Sequence, residues 1–177
     1  IAGAKIERPL SDSQQADDDG PPDWLDLQTQ GNTLLRDTNP AQFNDRLERL
    51  YRQLARHSRR NPDGTLFALI HLSATELRQY SATHSMLVSV MCGLAAREVL
   101  KWPAELEATL CKAALTMNLG MTALQDELAG QVERPSPVQQ EGIDAHSALG
   151  RTMLSGLGIR DGLWLDLLRR RSVDRTR

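Results

Sequence analysis

Two histidines, His84 and His146, are the residues of this sequence whose type and position best suit metal chemistry. An imidazole is a common ligand of transition metals, but catalytic sites usually supply three protein ligands, so two histidines alone rarely suffice. Each lies on a predicted amphipathic helix, where a histidine is by default a hydrogen-bonded core or groove residue. The remaining histidines, His57 and His71, fit no ligand pattern, and we interpret both as surface residues.

The sulfur-containing side chains fit packing better than metal binding or redox chemistry. Methionine fills irregular gaps in apolar cores, and this interpretation covers both Met117 and Met121. Cys92 and Cys111 lie in apolar runs, and neither belongs to a CxxC pattern. We therefore predict two buried free thiols instead of a disulfide, which suits a reducing, cytoplasmic location.

The composition predicts a helical protein with one sizeable core. The chain has 177 residues, and its aromatic content of 4% combined with abundant Leu and Ala favours packed helices over a β-sandwich. A net charge of −2 gives no general attraction to nucleic acid or to anionic lipid. The longest apolar stretch, residues 86–96, is far shorter than the ~20 residues that span a bilayer. We expect neither nucleic acid nor a membrane as a partner, and we see no signal peptide.

Apolar residues recur at helical spacing from Pro40 onward, whereas no alternating strand pattern persists. Asn61-Pro62-Asp63-Gly64 predicts a turn in which the glycine takes a left-handed conformation. The third helix, about 81–100, is predicted to be the most buried. Its predicted core face comprises Leu87, Val88, Met91, Leu94 and Ala95, with Gly93 allowing a close helix contact.

Further helices are predicted from Pro103, from Ser136 and from Asp161. Ser136-Pro137-Val138-Gln139 has the pattern of a capping box followed by proline at the first helical position. Gly156 and Gly158 end that helix, and Asp161 caps the last one. The prediction is an all-α bundle of about six or seven helices.

The chain divides into two predicted regions, residues 1–39 and 40–177. The first is acidic and weakly structured, with a helix-breaking cluster at Asp17, Asp18, Asp19 and Gly20 and an apolar anchor around Trp24. The second region is the helical domain. It ends in an arginine-rich run beginning at Arg169, which we interpret as a solvated tail. The alternatives are neutralisation of a phosphate-bearing ligand or of the acidic residues 12–26.

Within the helical domain, residues 80–150 resemble the HD-GYP family, bacterial phosphodiesterases that hydrolyse cyclic di-GMP at a cluster of iron or similar metals. Tyr80-Ser81-Ala82-Thr83-His84-Ser85 is similar to the stretch that carries the family's first ligand histidine. Asp144-Ala145-His146-Ser147-Ala148-Leu149-Gly150 is similar to a later ligand histidine and its trailing glycine. The resemblance implies an HD-domain-like helical fold.

The family's central His-Asp pair, which is followed by a glycine and a lysine, is replaced in this sequence by Met117-Asn118-Leu119-Gly120-Met121. In the family the Asp carboxylate bridges metals that activate a water for attack on phosphorus. Asn118 carries no negative charge, and Met117 offers only a weak thioether. Met121 stands where the family has a cation that helps to neutralise the phosphate. The closing His-His-Glu group and the Gly-Tyr-Pro segment have no match.

These departures predict a vestigial site, formed by His84, Met117, Asn118, Met121 and His146, without a catalytic residue or a cofactor. The resemblance then implies a regulatory module of cyclic di-GMP signalling that acts through a protein partner, with the cyclic dinucleotide as a candidate ligand and a homodimer left open. The alternative is a divergent phosphodiesterase in which His84 and His146 bind iron or manganese together with other ligands. A third interpretation is an unrelated helical adaptor, in which His84, Asn118 and His146 would not converge.

Overall fold

The computed structural model describes residues 20–168, and all regular elements in this part of the chain are helical. It contains seven α-helices of eight or more residues and a short final helix, which confirms the predicted all-α bundle. The α-helices are α1 (Trp24–Arg36), α2 (Pro40–Arg60), α3 (Pro62–Thr75), α4 (Tyr80–Leu94), α5 (Ala104–Thr116), α6 (Thr122–Ala129), α7 (Pro137–Gly156) and α8 (Gly162–Leu167). The acidic cluster at 17–19 and the arginine run from 169 lie outside the described residues.

The prediction of weak structure up to residue 39 is wrong for residues 24–36, because they form helix α1. Asp23 caps the helix, and its side chain accepts hydrogen bonds from the backbone N–H groups of Leu25 and Asp26. Leu27, Leu34 and Leu35 are buried in the main core. The polar residues between them obscured this stripe in the sequence, yet α1 packs along α4 as an integral part of the bundle.

A single residue, Asn61, joins α2 to α3. Its side chain accepts a hydrogen bond from the backbone N–H of Gly64, and Pro62 occupies the first helical position. The prediction of a left-handed conformation for Gly64 is therefore wrong, because Gly64 lies inside the first turn of α3. The positive φ among the described glycines occurs instead at Gly158, just after α7.

Helix α4 is the centre of the bundle and packs against α1, α2, α3, α5 and α6. Its buried face differs from the predicted one. Ala82, Met86 and Val90 are almost fully buried, whereas Met91 is 54% exposed. Small polar residues accompany them: the Ser89 hydroxyl donates to the backbone O of Cys111 at 3.0 Å, so its polar group costs little when buried.

The close helix contact predicted at Gly93 is confirmed. A Cβ atom on this residue would lie 2.9 Å from the Cys111 Sγ, so α5 approaches α4 more closely there than a larger residue would permit. The α-helix ends at Leu94, and the chain continues through a π-helical turn, Ala95–Val99. The helical stretch predicted to reach residue 100 therefore changes its hydrogen-bonding pattern over its last residues.

The predicted helix starts at the C-terminal end are confirmed. Ser136 and Gln139 form the reciprocal capping box, with Pro137 at the first helical position of α7. Asp161 caps α8 by accepting a hydrogen bond from the backbone N–H of Trp164. None of the helices within residues 20–168 combines the length and the apolar character needed to cross a bilayer.

Candidate functional site

The turn that follows Met117 and Asn118 packs directly on the helix that carries His146. The turn, a 3-10 helix at Leu119–Met121, lies against α7. A Cβ atom on Gly120 would come within 2.3 Å of the backbone O of His146 and 2.8 Å of the backbone N of Gly150. Glycine is required here because any side chain would collide with the backbone of α7. The structure thus places Gly120 and Met121 beside the helix of His146.

Asn118 is held by Gln125, a residue that is not among the predicted site residues. Its amide Nδ2 donates to Gln125 Oε1 on α6 at 3.1 Å. The next residue, Asp126, accepts a hydrogen bond from the backbone N–H of Ser81 at 2.6 Å and forms an ion pair with Arg36. Helix α6 therefore connects the turn to the start of α4, one helical turn before His84.

His84 lies against an aromatic side chain of its own helix. Its ring stacks on Tyr80 with the ring centres 5.4 Å apart, and the Tyr80 hydroxyl is 3.5 Å from Nδ1. Burial lowers the pKa of the His84 imidazole below its ordinary value of 6.5, because the charged form loses hydration. The imidazole is thus held in its neutral form at neutral pH.

His146 is also engaged locally. Its Nδ1 donates to the backbone O of Ile143, which leaves Nε2 to accept a hydrogen bond from the Ser147 hydroxyl at 3.2 Å. Both ring nitrogens of His146 therefore have partners within its own helix.

The five predicted site residues do not form a donor set that fits iron or manganese. All of them are half-buried, and neither Met117 nor Met121 offers a hard ligand. Asn118 directs its amide at Gln125, and the two histidines bond to neighbours in their own helices. Within residues 20–168 no three His, Cys, Asp or Glu side chains are grouped so that they could hold a metal ion. What these residues offer is a set of half-buried side chains, of which Asn118 bonds to α6 and each histidine bonds within its own helix.

The lowered pKa of His84 makes the stability of the fold sensitive to mild acid. The folded protein disfavours the imidazolium, so the unfolded chain binds more protons as the pH falls through 6.5. We expect the free energy of unfolding to decrease between about pH 7.5 and pH 5, and to decrease less in His84→Asn. Urea denaturation at both pH values measures this difference. His71→Asn is the control, since His71 is exposed; an equal effect of both variants would contradict the assignment.

A second polar cluster, which is not among the predicted sites, surrounds Glu107 on α5. Its carboxylate is buried, and Oε1 accepts hydrogen bonds from Arg97 at 2.8 Å and from Arg59 at 3.1 Å. Burial works against the charged form of Arg97, but the neighbouring Glu98 and Glu107 carboxylates outweigh it and raise the pKa of Arg97. The sequence signal for this cluster is Glu107 itself, because it is a charged residue on the apolar stripe of α5, four positions before Cys111.

This cluster also affects the two cysteines. Both are free thiols, as predicted, although Cys92 is only half-buried. Burial, reinforced by the Glu107 carboxylate, raises the pKa of the Cys111 thiol to about 12, and burial also raises the pKa of Cys92. Both thiols are therefore protonated at neutral pH, which makes them poor nucleophiles.

The interpretation of His57 as a surface residue is wrong. Only 9% of its surface is exposed, and its ring lies 6.0 Å from the Trp24 ring between α1 and α2. His71, in contrast, is exposed and stacks on Phe67. Helix α1, which was absent from the predicted fold, is the element that buries His57.

None of three comparisons of the chain, with protein-family models, with curated proteins and with solved structures, found a match.

Proposed function

We propose that the chain is a non-catalytic, HD-GYP-like module of bacterial cyclic di-GMP signalling that acts through protein contacts. The observation that carries this proposal is the close packing of Gly120, the residue of the family's central motif that this sequence keeps, against the helix of His146. His84, Asn118 and His146 each have a partner close by in the sequence, and no shared donor set forms around them. The close contact of Gly120 with α7 supports the proposal that the helical scaffold is retained although the metal-binding residues are replaced.

The geometry favours binding over hydrolysis. Attack on a phosphodiester at neutral pH requires an activated water, which HD-type enzymes obtain from bound metals. The Asn118 amide, the Ser147 hydroxyl and the half-buried imidazoles of His84 and His146 are instead groups that form hydrogen bonds to a partner protein or to a nucleotide.

The test is an anaerobic hydrolysis assay of the full chain with cyclic di-GMP and added iron(II) or manganese(II). We expect no linear dinucleotide or GMP above the protein-free blank, and no stoichiometric metal in the purified protein. Turnover that disappears in both His84→Ala and His146→Ala would contradict the proposal and support the phosphodiesterase alternative. His71→Ala is the matched control, because that histidine is exposed and lies on α3.

Calorimetric titration of the same preparation with cyclic di-GMP tests whether this nucleotide binds. Binding without hydrolysis, weakened in Asn118→Ala but unchanged in His71→Ala, would extend the proposed function to nucleotide recognition at Asn118. If no heat is released up to about millimolar ligand, which corresponds to a binding free energy weaker than about 4 kcal/mol, protein contacts are left as the means of action.

A further inference from the structure

A cavity lies where the start of α1 meets the end of α2 and the start of α3. Its volume is about 330 Å³, which is at the lower end of the range for small-molecule sites. None of the five predicted site residues lines it. Its lining includes residues at and before the start of α1, at the end of α2 and in the first turn of α3, namely Pro21, Pro22, Trp24, His57, Arg60 and Thr65.

Thr65 brings a buried hydroxyl group to this cavity. The residue is only 2% exposed, yet its hydroxyl takes part in no hydrogen bond within residues 20–168. A buried polar group without a partner is rare in a folded protein, because it loses its hydration and gains nothing in return. Since Thr65 lines the cavity, a polar atom of a bound ligand would supply the partner.

The cavity wall on the side of α1 is aromatic and apolar. Trp24 is half-buried, and its ring centre lies 6.0 Å from that of the buried His57, with the two rings tilted by 58°. Pro21 and Pro22 extend the apolar part of this wall. An indole face is a surface on which a planar ring stacks, so this side of the cavity suits an aromatic group.

The charges around the cavity favour a ligand with a single negative charge. Arg60, exposed at the end of α2, has a guanidinium group that can bind a carboxylate through two parallel hydrogen bonds. The first turn of α3, which reaches the cavity at Thr65, adds the partial positive charge of a helix N-terminus. Asp23 and Asp63 are sequence neighbours of lining residues, and their carboxylates disfavour a dianion such as a phosphate monoester.

From this arrangement we infer that the cavity binds a small aromatic carboxylate, with its ring against Trp24 and its carboxylate between Arg60 and the Thr65 hydroxyl. The Thr65 O–H donates to a carboxylate oxygen, which gives the buried hydroxyl its partner. Arg60 balances the charge of the ligand, while the aromatic wall selects a planar ring. The inference goes beyond the proposed function, because it uses none of the five predicted site residues.

Calorimetric titration of the full chain with cinnamate, a planar aromatic carboxylate, tests the inference. We expect a single class of site with a dissociation constant below about 1 mM. Cinnamamide, which has nearly the same shape but no charge, should bind about tenfold more weakly, because it cannot form the charged pair with Arg60. The absence of cinnamate binding up to about millimolar concentration would overturn the inference. Equal affinities for cinnamate and cinnamamide would also overturn it.

Two substitutions test where the cinnamate binds. Thr65→Val keeps the shape of the side chain and removes only the hydroxyl, so cinnamate should bind about fivefold more weakly while the free energy of unfolding does not decrease. Arg60→Gln should weaken binding about tenfold. Arg49→Gln is the matched control, since Arg49 is exposed on the same helix but does not line the cavity, and it should leave binding unchanged. Cinnamate binding that neither cavity variant weakens would show that the ligand lies elsewhere and would refute the inference.

Discussion

Gly120→Ala should destabilise the fold by about 3 kcal/mol, which is at the upper end of overpacking effects. The added methyl group would meet two backbone atoms of α7, the O of His146 at 2.3 Å and the N of Gly150 at 2.8 Å. Backbone of a helix does not move aside as a side chain does, so the 3-10 turn and α7 must separate. Urea denaturation of wild type and variant measures the loss of free energy.

Two glycines of α7 provide matched controls for this prediction. A Cβ on Gly142 would meet the Leu124 Cδ2 at 2.8 Å, which is the flexible end of a side chain, and a Cβ on Gly156 would meet nothing within 4 Å. We expect Gly142→Ala to cost little and Gly156→Ala to stabilise by up to about 1 kcal/mol through helix propensity. If Gly120→Ala costs no more than Gly142→Ala, the turn and α7 are not in close contact in solution.

Removal of the charge on Glu107 should have the second largest effect. Glu107→Gln leaves Arg97 and Arg59 facing a neutral amide in a site where the carboxylate is only 4% exposed. Loss of one partner of a buried ion pair typically costs about 3–5 kcal/mol. We expect about 2 kcal/mol here, because the Arg59 side chain is 48% exposed and regains hydration when released. Denaturant titration of the variant gives the value.

Glu105→Gln is the control for Glu107→Gln, since Glu105 lies in the same first turn of α5 but is exposed. Its loss should cost no more than about 0.5 kcal/mol, the usual contribution of an acidic side chain near a helix N-terminus. The Glu107 penalty should also persist in about 1 M salt, because screening acts weakly on buried pairs. Equal penalties for both variants would show that the Glu107 carboxylate is not held between the two arginines.

Local hydrogen bonding explains which parts of the fold were predictable. The starts of α7 and α8 depend on Ser136, Gln139 and Asp161, whose side chains bond to backbone groups within three residues. Such caps form wherever the local sequence permits them, so they could be identified without knowledge of the rest of the molecule. The all-α class followed in the same way from the spacing of apolar residues.

Burial, in contrast, could not be predicted from the sequence of one helix. Helix α4 buries Ser81, Ser85 and Ser89 while it exposes Met91, because small side chains let the central helix approach its neighbours closely. Helix α1 was missed for a related reason, since its three buried leucines are interrupted by polar residues such as Gln28. The buried Gln28 amide finds a partner on α4, where it donates to Thr83 at 2.8 Å.

The candidate site shows the same division. The amino-acid sequence specifies which groups are present: two histidines, the uncharged side chain of Asn118, and two methionines. The surroundings of these groups depend on the fold: α6 holds Asn118 through Gln125, and α7 lies against Gly120. The identity of a side chain fixes the chemistry it can perform, but its hydrogen-bond partners depend on packing between segments far apart in the chain.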